Sequence, residues 1–482
     1  MDTETAYNLA LDYLYSFVDY SLKHVSELAK ADFNLDRMFA LMDALGNPQN
    51  AYPIIHVAGT KGKGSTSALC ASALTAAGYK VGLYTSPHLE DYIERIQIDG
   101  SPLAHEQLVT LVDAVKPAVA KIPKLTTFEI TTAIGFLAFE RAGVNAAVIE
   151  VGLGGRLDAT NVITPRVSVI TSLSMDHTAV LGNTLAKIAG EKAGIIKDAV
   201  PVVSSPQKEE ALEVLLRVAR ERNTSLTLVE RDVTFEFLSS SLDGQEFAIY
   251  PTALSGARRR PNEVEGQAHA TILAQETRPS TAGLDTATSM PTRPSAQDGG
   301  LVVNIPLLGS HQLTNAVTAY AALKASGLSI SDEAIQKGFS QVKWPARFEV
   351  ARREPPVVID SAHNRESAQR LREALDDYFP SRPVYMVFCS LEDKDISGIL
   401  EELRPRLEGV IATRADHPRA PSVEWIAQQV RQAEIPVVTE PHAAAALERA
   451  LEMAGDLGLV LSAGSVAFAG EIRAAWRKKQ SV

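Results

Sequence analysis

A chain of 482 residues is too long for one hydrophobic core, so two domains are expected. Hydrophobic residues make up 45% and charged residues 22%, as in ordinary water-soluble globular proteins, and a net charge of −11 argues against nucleic acid as the main partner. The two cysteines, Cys70 and Cys389, lie inside apolar runs, which excludes a disulfide framework or a cysteine metal cluster and suits a reducing, cytoplasmic setting. Neither a signal-peptide pattern nor a membrane-spanning run is legible.

Residues 1–50 read as two helices, with Tyr7, Leu9, Leu11, Leu14 and Phe17, then Leu35, Met38, Phe39, Met42 and Leu45, recurring at roughly helical spacing. Gly46, Asn47 and Pro48 close the second. The stretch 54–66 organises the rest of the chain. A β-branched run (54–57) ends at Ala58 and Gly59, and a helical pattern begins near Ser65, with Ala68, Leu69, Ala71 and Leu74 on an apolar stripe. Between them Gly59, Gly62 and Gly64 let backbone N–H groups turn toward a ligand, and the helix start adds its own donors and positive dipole end. Lys63 can reach the outer phosphates of a nucleotide, and the Ser65 hydroxyl can hold Mg²⁺. Strand, glycines, lysine, hydroxyl and helix coincide, which marks a phosphate-binding loop.

Val81–Tyr84 reads as a second strand, followed by Thr85, Ser86, Pro87 and His88, a stretch that by itself reads as a plain loop in which proline stops the strand. A helix over 128–141 leads into an apolar strand ending in Glu150 beside glycines, the pattern of a metal-holding strand end. Arg156, Asp158, Thr160 and Asn161 follow on a loop. Strand Val167–Ile170 precedes Asp176 and His177, which face the site if ligands gather at the carboxyl end of the sheet. A helix ends at residues 191–196, which include Lys192, and 201–204 is another strand. Alternation over 233–238, 247–250 and Leu301–Ile305 predicts a small antiparallel set. Residues 254–298, poor in large apolar side chains, read as a disordered surface insertion. A helix after Gly309, running through Asn315, completes a first domain over 1–343.

Residues 344–348, with Trp344, Arg347 and Phe348, read as a hinge. Beyond it, over 349–482, strands at 357–359, 384–389, 410–413, 436–438 and 459–461 alternate with helices, so a smaller open α/β domain is expected. The whole is an α/β protein: a phosphate-loop domain with a mostly parallel sheet plus a small antiparallel sheet, then the smaller α/β domain.

Taken together, stretches 59–66, 85–89, 148–161, 175–177, 191–197, 309–315, 344–347, 359–364 and 464–465 resemble the folylpolyglutamate synthase and dihydrofolate synthase family within the Mur ligases. The resemblance runs across nearly the whole chain and leaves out mainly 254–298. It implies an ATP-dependent carboxylate–amine ligase joining L-glutamate to dihydropteroate or a reduced folate such as tetrahydrofolate through an acyl phosphate. It also implies roles. Gly59, Thr60, Gly62, Lys63, Gly64, Ser65 and Thr66 would hold the phosphates of ATP, with Ser65 and Glu150 on one Mg²⁺. His177 and Lys192, the latter as a carbamate, would serve a second metal. Asn315, Arg347, Asp360 and His363 would complete the nucleotide pocket, and Thr85, Ser86, Pro87, His88 and Asp158 would lie on the acceptor side. Lys63, Glu150, His177 and Lys192 are thus the catalytic expectation, in a monomer that needs neither nucleic acid nor membrane.

Two positions depart from the family pattern: Lys61 stands where asparagine is common, and Ser361 where glycine is common. Lys61 either adds charge at the phosphates or points to solvent. The alternatives are a folylpolyglutamate synthase without the dihydropteroate reaction, a Mur-type amino-acid ligase, or an ATP-binding regulator that ligates nothing. The form of residues 85–88 favours both folate activities, and the presence of Glu150, His177 and Lys192 speaks against the regulator.

Overall fold

The computed structural model describes residues 2–19, 34–251 and 299–480, so the whole stretch read as an insertion, 254–298, lies outside the described residues. The N-terminal domain is built on an eight-stranded sheet: β1 (Ile54–Ala58), β2 (Val81–Tyr84), β3 (Ile96–Ile98), β4 (Ser101–Pro102), β5 (Ala146–Glu150), β6 (Val167–Ile170), β7 (Val202–Ser204) and β8 (Leu226–Leu228). Their order is β4-β3-β2-β5-β1-β6-β7-β8, parallel from β2 to β8 and antiparallel at the β3–β4 edge. The central strands are buried along their whole length, which is why they read as unbroken apolar runs. Alternate residues serve two cores. Ile55, Val57 and Val148 face helices Lys63–Ala76, Ser310–Ala325 and Asp332–Gln341, while Ile54, Ala147 and Ile149 face helices Thr3–Tyr15, Asp36–Ala44, His105–Val119 and Thr127–Ala142.

Strand β1 is central, with Val57 beside Glu150 and Ala58 beside Ile170. The chain therefore leaves β1, β5 and β6 at one place on the sheet's carboxyl edge, where ligands of open α/β sheets gather. Beneath it His56, fully buried, hydrogen-bonds Thr160 Oγ1 at 2.9 Å, and that hydroxyl donates to Asp158 at 2.5 Å.

The small antiparallel sheet holds β9 (Val233–Ser241), β10 (Gly244–Pro251) and β11 (Leu301–Ile305) in the order β11-β10-β9. The C-terminal domain carries a six-stranded sheet: β12 (Glu349–Arg353), β13 (Pro356–Ile359), β14 (Val384–Phe388), β15 (Leu407–Ala412), β16 (Val437–Thr439) and β17 (Leu459–Ala463), ordered β12-β13-β17-β14-β15-β16. Only the β12–β13 pair is antiparallel.

Two details differ from the sequence reading. Tyr7, Leu14, Met38 and Met42 are buried as read, but Leu9 and Phe39 are 51% and 47% exposed, and Ala10 and Leu41 complete the buried faces in their place. The first helix of the phosphate loop starts at Lys63, two residues before Ser65, because Gly62 takes a left-handed conformation (φ 85°) and turns the chain at once.

Candidate active site

The loop after β1 is packed against protein on three sides. A side-chain carbon at Gly62 would lie 2.2 Å from Asn315 Oδ1, and one at Gly64 would lie 2.6 Å from the Trp344 ring. The glycines are thus required by the walls of the loop as well as by its turn. The Thr60 and Lys61 amides donate to the Ser172 carbonyl at 2.9 and 3.1 Å, so these two are committed to β6's exit. Donors for an anion come from the first turn of helix Lys63–Ala76, whose N–H groups have no partner within the helix. Ser65 and Thr66 are buried in that turn, and the Thr66 hydroxyl has no partner.

Lys63 Nζ lies 3.9 Å from Glu150 Oε1, and Glu150 Oε2 accepts the Ser86 N–H at 3.3 Å. Glu150 is 5% exposed; burial raises its pKa, opposed by Lys63, the Ser86 N–H and Arg347. A carboxylate held in this way gains from any further cation. Lys192 is buried and donates to the Gly59 carbonyl at 2.7 Å. Burial, with Lys63 nearby, pushes its pKa down to about 7, far below a free lysine. His177 caps the short helix Thr178–Leu181 from a left-handed conformation, with its ring 44% exposed and its amide on Asp176 Oδ1 at 2.9 Å.

Lys61 does not point to solvent. Its ammonium is 3.4 Å from Asp176 Oδ2 and 3.2 Å from His363 Nε2. His363 Nδ1 is 2.9 Å from the Ser361 carbonyl, which can only accept, so that nitrogen carries the proton and Nε2 accepts from Lys61. Burial opposes charge on Asp176, yet Lys61 and His177 outweigh it and hold the carboxyl below its usual range. Ser361 also has a structural use: its hydroxyl accepts from Arg347. Asp360 accepts the Phe348 and Ala362 amides, both at 2.7 Å, and so fixes the end of segment 344–348.

On the far side, the Thr85 amide donates to the Arg95 carbonyl at 3.0 Å, and Arg95 Nε donates to His88 Nδ1 at 2.9 Å. Arginine has no acceptor, so His88 must be the neutral tautomer with its proton on Nε2. Burial, then Arg95, pushes the His88 pKa down to about 4, in keeping with that form. Asp158 is committed to its own loop, accepting from the Leu153 and Thr160 amides at 2.8 and 3.0 Å. Arg95, Asp176 in its pairing with Lys61, and the Ser172 carbonyl carry no motif signal and become visible only once the sheet brings its strand ends together.

A phosphate loop at the central strand, a carboxylate at the neighbouring strand end and a second α/β domain over the opening define a Mur-type ligase. Residues 57–253 match the Mur ligase middle domain, and residues 346–466 match the Mur ligase glutamate ligase domain. The dihydrofolate synthase/folylpolyglutamate synthase of Mycobacterium tuberculosis is 37% identical over 424 residues, covering 83% of this chain and 77% of that protein. The folylpolyglutamate synthase structure of M. tuberculosis complexed with ADP superposes with a TM-score of 0.81 at 32% identity, over 98% of this chain and 99% of that one. The structure of E. coli FolC in complex with DHPP and ADP gives 0.76 at 26% identity, over 96% and 100%. The chain belongs to the dihydrofolate synthase/folylpolyglutamate synthase family. It is an ATP-dependent ligase of the Mur type.

Proposed function

We propose that this ligase joins L-glutamate to dihydropteroate and to reduced folates such as tetrahydrofolate, using ATP to activate the acceptor carboxylate. One observation carries the reading: Glu150 touches Lys63 with one oxygen and the amide of Ser86 with the other. The phosphate loop and the acceptor-side loop thus meet at a single carboxylate, as phosphoryl transfer from a nucleotide to an acceptor demands. A carboxylate is a poor electrophile until phosphorylated. Lys63 and the helix start then offset negative charge on the moving phosphoryl group, the glutamate amine attacks the acyl phosphate, and phosphate leaves. The neutral His88 offers its Nε2–H to a polar edge of the acceptor, and Asp158 keeps the neighbouring loop in shape.

Ser65 and Glu150 offer the oxygens that Mg²⁺, a hard cation, prefers, and a second ion would take the oxygens of Lys192 as a carbamate, with the His177 ring nitrogen as a softer ligand beside them. Bound there, the metals would supply positive charge to the phosphates. As an ammonium, Lys192 is an unfavourable neighbour for a cation, and its depressed pKa leaves a neutral amine that can react with CO₂. Thr60, Gly62, Gly64 and Thr66 line the nucleotide side together with Asn315, Arg347, Asp360 and His363. We divide the chain at residues 344–348, with a ligase domain over 1–343 and a glutamate-ligase domain over 349–482 that closes on the site and excludes water from the acyl phosphate. We assign a monomer working in the cytoplasm; among the described residues no helix is long and apolar enough to cross a membrane.

The deciding experiment follows ADP release with dihydropteroate and, separately, with tetrahydrofolate, each with and without glutamate. Glutamate-dependent release with both acceptors is expected. Release with tetrahydrofolate alone would leave a folylpolyglutamate synthase, and release with neither would remove the reading.

A further inference from the structure

The loop that follows Thr85, Ser86, Pro87 and His88 is held by the other domain. Leu89 packs among residues of the C-terminal domain that include Val357, Ile359, Phe468 and Ile472. Helix Val466–Gln480 lies directly on its backbone: a side-chain carbon at Gly470 would come within 2.0 Å of the Leu89 carbonyl oxygen. One turn further on, Arg473 Nη1 donates to Glu90 Oε1 at 2.8 Å, and Arg477 pairs with the other oxygen of the same carboxylate. Arg473 uses its Nε on Glu349 at 3.0 Å, and Glu349 accepts the amide of Ala346, a non-glycine residue at φ 55° inside the hinge segment. The Glu90, Arg473 and Glu349 side chains are only 16%, 24% and 27% exposed, so the network is largely shielded from water.

The loop is stiff enough to transmit this hold. Glu94 accepts the amides of Leu89, Glu90 and Asp91 at 2.7, 3.3 and 3.1 Å. At its other end Ser86 donates to Glu150. A continuous set of contacts thus runs from the hinge, through Glu349, Arg473 and Glu90, to the acceptor loop and the carboxylate at the phosphates.

We propose that Arg473 and Gly470 are positioning residues for the acceptor: the C-terminal helix sets the acceptor loop through Leu89 and Glu90, so losing this hold weakens the acceptor far more than it weakens ATP. This rests on the reading of residues 85–88 as the acceptor side. The nucleotide side leans less on the latch: Asn315 and Lys192 are held by the N-terminal domain itself, and of the residues assigned there only Arg347, Asp360 and His363 come from the hinge segment and the second domain.

The test uses the full-length enzyme and steady-state kinetics, with KM measured separately for tetrahydrofolate and for ATP. Glu90→Gln and Arg473→Gln are each expected to raise the tetrahydrofolate KM about fivefold, with the ATP KM rising by less than about twofold and the double variant no worse than the worse single one. Arg473→Lys should recover part of the loss, and Gly470→Ala should raise the same KM by pushing the helix off the Leu89 carbonyl. An unchanged tetrahydrofolate KM in the charge variants, an equal rise for ATP, or single effects that multiply in the double variant would each overturn the proposal. His88→Ala tests the underlying reading separately. If it raises the acceptor KM while the latch variants do not, the acceptor loop stands and the latch falls; if neither moves it, both fall.

Discussion

Lys63 and Lys192 are two lysines of the candidate site held in opposite ways. Lys63 is 18% exposed and aims at Glu150, so its charge is available to a phosphate. Its replacement by alanine should cut glutamate-dependent ADP release by about 100-fold or more, the usual scale for losing one donor to a developing charge, while the melting temperature holds. Lys192 has no such outlet: it lies against the Gly59 carbonyl, where burial favours the uncharged amine. Below about pH 7 the ammonium form dominates and above it the neutral form does. CO₂ adds only to the neutral amine, with loss of one proton, so reactivation of CO₂-stripped enzyme at equal dissolved CO₂ should be faster at about pH 8 than at about pH 6. Lys192→Ala should be nearly inactive and partly restored by a small carboxylic acid. A fully active Lys192→Ala enzyme, or rescue by an amine instead, would count against the carbamate.

At the scale of elements, helices Lys63–Ala76 and Asp332–Gln341 cross with their backbones almost in contact. A side-chain carbon at Gly338 would lie 2.4 Å from the Ala73 Cα, and Ser72 Oγ donates to the Gly338 carbonyl at 2.6 Å. Alanine at position 338 would gain about 1 kcal/mol of helix propensity. The clash is with backbone and cannot swing away, and overpacking of this kind typically costs about 1–3 kcal/mol, so Gly338→Ala should lower the melting temperature and Gly338→Val should lower it further. Strands β10 and β11 support a second prediction. They pair Ile249 with Leu301, so their joined ends are neighbours and a turn of a few residues can link them. Replacing 254–298 by a short Gly/Ser linker should therefore leave ADP release within about twofold, because loop-closure entropy changes slowly with length.

These elements also mark how far the sequence could be read. Val81–Tyr84 and Val167–Ile170 are legible to the residue, because strands buried on both faces are apolar throughout and end where the burial ends. Strands β3, β4, β8 and β12 are not: they are two to five residues long, sit at or near sheet edges and owe their state to a partner strand, not to their own pattern. Leu9 and Phe39 mislead for a related reason, since helical spacing alone does not say which flank of a stripe meets the core. In the site, Lys63 and Glu150 carry motif signals, whereas Lys192, which by spacing alone reads as a helix-end lysine, is pointed to only by the family resemblance. The pairing of Lys61 with His363, 302 residues apart, and of Arg473 with Glu90, 383 residues apart, follows from tertiary packing alone.

Over the whole molecule the two domains are joined by more than the connecting segment 344–348. Leu308, from just before helix Ser310–Ala325, is 3% exposed inside a core otherwise made by Phe348, Val358, Leu371 and their neighbours, and Leu242 packs against the same cluster. With Leu89 on the opposite side of the sheet, three leucines of the first domain finish the interior of the second. That has a consequence for synthesis. A ribosome delivers the first domain before the second, so the later strands emerge beside a template whose leucines are already in place. Made alone, residues 349–480 would have sockets with nothing to fill them, and they should collect in the insoluble fraction. Co-expressed with residues 2–343 as a separate chain, the same fragment should return to solution and co-purify with it. The junction at residues 344–348 would then matter as a guide for timing and distance, while recognition between the halves resides in the leucines.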